Sequence, residues 1–219
     1  MSPAERNSGG LATVVPIGAR RNAPLRYEDA ASLVAALRIG DRAAMDVVVD
    51  RYAPFVERVL ARILGYDGEL PDVVHDVFVT AFGRIGNLRH PELLKEWLRG
   101  VTVFVAREWL RRRRRRRWLT FRPDDELPEL ASDLLPSNTA DELTRLYRVL
   151  ARMPPDECIV FTLRFMAEME IEEVATACGV SMTTVKRRQR KAERRFAAEA
   201  RKDPVLRERL ERGARWSGT

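Results

Sequence analysis

The sequence predicts an all-α fold: two small helical domains joined by an acidic flexible linker, the second containing a helix-turn-helix. Three observations predict it. Apolar residues recur at spacings of three and four through residues 30–109 and again through 143–196, with no convincing two-residue alternation. Between them, 118–139 holds Pro123, Pro128 and Pro136 beside Asp124, Asp125, Glu126, Glu129 and Asp133, which forbids a long helix and reads as a tether. Near the end, Ala175, Gly179 and Val185 stand four and six residues apart. Those are the small residue, turn glycine and inward branched residue that let two short helices meet at a sharp turn.

The elements follow in order. Residues 1–29 form an N-terminal arm in which Pro, Gly, Ser and Arg mix without apolar period, so it is expected to be disordered. Leu33, Val34 and Leu37 line a first helix that Gly40 ends. Asp41 can cap a second helix carrying Met45, Val48, Val49 and Tyr52. Pro54 predicts a kink or restart before Phe55, Val59, Leu60 and Ile63. Pro71 suits the first turn of a third helix with Val74, Val77, Phe78, Ala81, Phe82 and Ile85 as its stripe. After the loop 86–90, Pro91 opens a fourth helix, where Leu94, Trp97, Leu98, Val101, Val105 and Trp109 lead into seven consecutive arginines, Arg111 to Arg117. Trp97 lies on the apolar stripe and reads as core.

The first domain therefore spans 30–117, the linker 118–139 and the second domain 140–200, leaving 201–219 as a basic C-terminal tail. In the second domain Leu143, Leu146, Val149 and Leu150 form a stripe that stops at Met153-Pro154-Pro155. Asp156 can cap the next helix, with Ile159, Val160, Leu163 and Phe165 inside.

Charge sharpens this division. The 219 residues hold 39 Lys+Arg against 32 Asp+Glu, a formal charge of +7. The first domain carries +6 and the linker −4, so the sum hides two basic bodies separated by an acidic strip. Clustered arginines attract a polyanion and release its counterions on binding. Two cysteines, Cys158 and Cys178, cannot build a disulfide framework or a thiolate zinc cluster, and they suit a reducing, cytoplasmic compartment. No apolar run is long enough for a membrane span, and no signal-peptide core opens the chain. The two histidines are isolated and no phosphate-binding glycine loop occurs. An enzyme is not expected, and neither a catalytic residue, a cofactor nor a metal.

The helix-turn-helix carries the chemistry. On its second helix Val185, Gln189, Ala192 and Phe196 mark the inward side, Gln189 being an anomalous polar member. Thr183, Thr184, Lys186, Arg187, Arg188, Arg190 and Lys191 lie on or beside the exposed side. There the early residues suit base edges and the later basic ones suit phosphates.

The chain resembles the extracytoplasmic-function (group IV) sigma factors of bacterial RNA polymerase. Pro71-Asp72-Val73-Val74-His75-Asp76-Val77-Phe78 is similar to that family's Asp-Leu-Val-Gln-Glu-Val-Phe segment, and Trp97-Leu98 running into arginines is similar to its Trp-Leu helix. Glu173-Val174-Ala175, Gly179-Val180-Ser181 and Thr184-Val185-Lys186 match its second block. His75 stands where the family has Gln, Phe104 where it commonly has Asn, and Arg187 where a small residue is usual.

The resemblance implies that 30–117 is sigma region 2. Asp72, His75 and Asp76 would dock on the polymerase β′ clamp helices. The loop residues Asn87, Leu88, Arg89 and His90, with Arg111 and Arg112, would meet the −10 element. It implies that 140–200 is region 4, reading the −35 element through Thr183, Thr184, Lys186, Arg187, Arg188, Arg190 and Lys191 and meeting the β flap. The acidic linker would thread the polymerase cleft, and an anti-sigma factor would be a further partner. The competing reading is a stand-alone helix-turn-helix regulator with an N-terminal sensing domain, which would bind operator DNA without polymerase.

Overall fold

The computed structural model describes residues 27, 29–65, 68–120 and 137–211. Most of the N-terminal arm and the linker acids lie outside the described residues. Nine α-helices and two short 3-10 turns, and no strand, occur among those described.

Helix α1 (Ala30–Arg38) is opened by Asp29, whose carboxylate accepts from the Ser32 amide, and Gly40 follows at φ +80°. Helix α2 (Arg42–Leu64) begins on Asp41, which accepts from the Ala43 amide at 2.9 Å. Of the kink or restart expected at Pro54, no restart occurs. The helix runs through it because Ala53 and Val56 bury their side chains on either side while Pro54 itself faces solvent. Pro54 still removes the amide that would close its own turn, so Pro54→Ala is expected to raise unfolding free energy by about 1–3 kcal/mol in urea titration.

Helix α3 (Leu70–Arg84) starts with Pro71 in its first turn. A 3-10 turn at Ile85–Asn87 and another at Pro91–Leu93 bracket the loop, and α4 (Leu94–Thr120) follows. Pro91 thus opens a 3-10 turn rather than the α-helix itself. Helices α2, α3 and α4 pack on one another around Leu60, Val77 and Leu98. Trp109 is 5% exposed, and its indole N–H donates to Glu69 at 3.1 Å, tying the start of the arginine run to the foot of α3.

The second half comprises α5 (Ser137–Arg152), α6 (Pro155–Phe165), α7 (Ile171–Cys178), α8 (Met182–Ala200) and α9 (Pro204–Glu211). Helical structure thus reaches into both ends of the stretch read as linker. Phe161 packs on Phe165 and Phe196 with ring centroids 4.9 and 4.6 Å away. Helix α9 occupies part of what reads as tail. Asp203 accepts from the Val205 and Leu206 amides, and Leu206 is fully buried against α5 and α8.

The two halves pack into one body. The core of the first continues into Ile159, Val160, Leu163 and Val174 of the second. Helix α4 lies against α6 and α7, and the Tyr147 hydroxyl donates to the Ala61 carbonyl at 2.9 Å.

Candidate nucleic-acid interface

The helix-turn-helix is built as its spacing requires. Glu170 and Glu173 form a reciprocal capping box at the start of α7. Gly179 ends α7 in the left-handed conformation, φ +64°, and a Cβ there would meet nothing within 4 Å. Its cost to another residue is therefore backbone strain alone. Gly179→Ala is expected to lose about 1–2 kcal/mol in thermal or urea unfolding, and Gly179→Asn less. Ser181 caps α8, accepting from the Thr184 amide at 3.3 Å. Val174 and Val185 are fully buried and Ala175 nearly so, which fixes the angle between the two helices.

On α8 the solvent-facing residues include Thr183, Lys186, Arg187, Arg190 and Lys191, with Thr184 half-buried. Met182 is 45% exposed at the leading turn, a surface the sequence reading passed over because methionine looks like core. Gln189 resolves its anomaly locally: half-buried, it donates to Glu193 at 2.9 Å one turn on.

Arg188 departs from the solvent-facing set. It turns back to Asp156 at 3.4 Å, its side chain only 22% exposed. Asp156 in turn does not cap α6. Pro154 holds that position, and Asp156 sits in the first turn facing Arg107 at 3.1 Å. The nearly buried Glu157 carboxylate meets Arg195 at 2.7 Å, pinning α8 to α6. Burial pushes the Cys158 thiol up to about 12 and raises Cys178 as well, although Arg107 and Arg188 pull the latter back.

In the first half, Asp72, His75 and Asp76 are exposed along one face of α3, joined by Val79, 56% exposed. Asp76 lies 3.7 Å from Arg112, so the acidic face and the arginine run are neighbours. Asn87, Arg89 and His90 are exposed, and His90 sits 3.1 Å from Glu92. Leu88 differs from its neighbours, being 3% exposed with its side chain in the core. Its carbonyl accepts from Arg38 at 2.5 Å, which anchors the loop. Trp97 packs against the core as expected, and Phe104 carries the Arg84 guanidinium 4.3 Å above its ring. No group of three or more His, Cys, Asp or Glu that could hold a metal occurs among the described residues. No described helix is long and apolar enough to cross a membrane.

An all-α body with an exposed basic helix in one half, and an acidic helix face beside an arginine-bearing helix in the other, has the charge arrangement that suits a DNA-binding protein. The comparisons with known proteins give that class its family. The Sigma-70 region 2 family model matches residues 48–116, and the Sigma-70, region 4 model matches residues 143–196. The chain is 27% identical over 141 residues to RNA polymerase sigma factor SigV of Bacillus subtilis (strain 168), covering 64% of this chain and 81% of that one. It is 26% identical over 168 residues to the ECF RNA polymerase sigma-E factor of Escherichia coli (strain K12), covering 71% and 86%. With RNA polymerase sigma-H factor of Pseudomonas aeruginosa it shares 25% over 198 residues, 84% and 99% of the two chains. Its fold is similar to that of CnrH, solved in complex with the cytosolic domain of CnrY, with a TM-score of 0.51 at 22% identity over 80% of this chain and 99% of that one.

The chain belongs to the extracytoplasmic-function sigma factors. It is an alternative sigma factor that directs promoter-specific transcription initiation by core RNA polymerase.

Proposed function

We propose a division of labour within that activity. Residues 30–117 act as region 2, with Asp72, His75 and Asp76 docking on the β′ clamp helices. Asn87, Arg89 and His90, with Arg111 and Arg112, meet the −10 element, while buried Leu88 shapes the loop. Residues 140–200 act as region 4, where Thr183, Thr184, Lys186, Arg187, Arg190 and Lys191 contact the −35 element, joined by Arg188 once it leaves Asp156. The second half also meets the β flap. The observation that carries this reading is the exposed stripe of α8 beginning at a capped helix start, a geometry that suits a major groove.

The acidic strip acts as a tether through the polymerase cleft. Two weak readers linked through the enzyme gain effective concentration and a fixed spacing between elements. An anti-sigma factor is a further partner in this scheme. The site of action is the cytoplasm.

Run-off transcription with core polymerase tests the scheme. Added chain is expected to give starts at discrete promoters, and an operator-binding regulator would give none. Asp76→Arg is expected to lower core-polymerase binding at least tenfold in a pull-down, by placing like charge against the basic surface this acidic face suits. Full retention of binding would remove Asp76 from the docking role.

A further inference from the structure

We propose that this chain holds itself closed through Asp156, a carboxylate that binds one arginine from each of its two DNA readers. The proposal rests on the roles assigned above to Arg111 and Arg188. Asp156 stands on α6, facing Arg107 of α4 at 3.1 Å, Arg188 of α8 at 3.4 Å and Arg111 of α4 at 3.9 Å. Arg107 also donates to the Cys178 carbonyl at 3.3 Å, the last residue of α7. One acidic side chain on α6, 30% exposed, thus faces arginines of α4 and α8, and Arg107 adds a bond to α7.

The closed body cannot perform the assigned reading. Elements at −35 and −10 lie roughly 25 base pairs apart, on the order of 80 Å of duplex at 3.4 Å per pair. Here the two arginines meet on one carboxylate, and α7 lies along α4, with Gly100 facing the Ala177 carbonyl. The halves must separate for both elements to be read at once. Three guanidinium groups around one carboxylate leave an excess of positive charge, so removing that carboxylate sets arginines of the two halves against each other. Glu108 contacts Arg111 at 2.8 Å and relieves part of the excess. A DNA phosphate offers Arg111 and Arg188 the same kind of oxygen partner. Binding then exchanges one anion for another instead of leaving the arginines bare, which lowers the cost of opening. The apolar contact between the halves supplies adhesion, and the charged hub makes that adhesion salt-sensitive and reversible.

The test uses the full chain and two variants, Asp156→Asn and Arg107→Gln. The second variant cuts the junction from the α4 side, together with the Arg107 bond to the Cys178 carbonyl, and changes no residue of the helix-turn-helix, so it decides the outcome if Asp156→Asn loses helical circular dichroism. Small-angle scattering is expected to show a radius of gyration larger by about 3–5 Å in each variant. Raising salt is expected to move the wild type the same way. Titrated into core polymerase, each variant should reach half-maximal run-off at a three- to tenfold lower concentration. A wild type already as expanded as the variants, or variants as compact as the wild type, would overturn the latch. Expansion without any gain in run-off would overturn its inhibitory role. If no chain, wild type included, supports run-off while scattering still shows opening, the assigned function fails and the latch stands.

Discussion

Reversing Arg187 and Arg190 to glutamate is expected to abolish promoter-directed run-off while helical content and thermal stability stay near those of the wild type. Both side chains are exposed on α8, away from the buried face formed by Val185, Ala192 and Phe196, so the core loses nothing. Each guanidinium that neutralises a phosphate releases a counterion, and its loss lowers the log–log salt slope by about 0.9. Two lost contacts and two new repulsions together should weaken duplex binding on the order of 100-fold or more, at about 1.5–3 kcal/mol per charged hydrogen bond. Fluorescence anisotropy on a promoter duplex at several salt concentrations separates the two effects. An unchanged salt slope would show that these arginines do not meet phosphates.

Trp109→Ala is expected to cost about 3–5 kcal/mol of unfolding free energy, a large share of the roughly 5–15 kcal/mol that holds a domain folded. The indole is 5% exposed, donates to Glu69, and carries the Arg113 guanidinium 4.7 Å from its ring. Removing it opens a cavity and strips the Glu69 carboxylate of that donor. Trp109→Phe keeps most of the packing and loses the hydrogen bond, so about 1–2 kcal/mol is expected. Urea titration of both variants tests this, and a loss under 1 kcal/mol for the alanine variant would place the ring outside the load-carrying core. The consequence reaches the function, because Trp109 ties the base of the arginine run on α4 to Glu69 at the foot of α3.

Much of this was legible because helices are specified locally. The stripe Val74, Val77, Phe78 and Ala81 repeats at the helical period and buries as that period requires. Asp41 caps where a short acceptor precedes an apolar run, and Gly179 takes the left-handed turn that its place demands. Pro54 misleads for an equally physical reason. A proline forbids one hydrogen bond, but a 23-residue helix anchored by neighbours on both sides absorbs that loss. Leu88 sits in a polar loop sequence, and only its packing reveals a core residue. Helix α9 escapes notice because charged residues surround its two apolar anchors, Leu206 and Leu210.

Arg188 and Asp156 show where local reading ends. Their positions on α8 and α6 follow from the sequence, yet a long guanidinium can face DNA or turn back. The choice depends on which charges the other half brings within about 4 Å. The sequence by itself determined helices α1 to α8, the Asp41 cap, the helix-turn-helix and the family, since each rests on residues within a few turns of one another. Only the tertiary structure decided that the two halves share a core and that one carboxylate gathers arginines from both. Such contacts join residues far apart in the chain, and no periodicity encodes them.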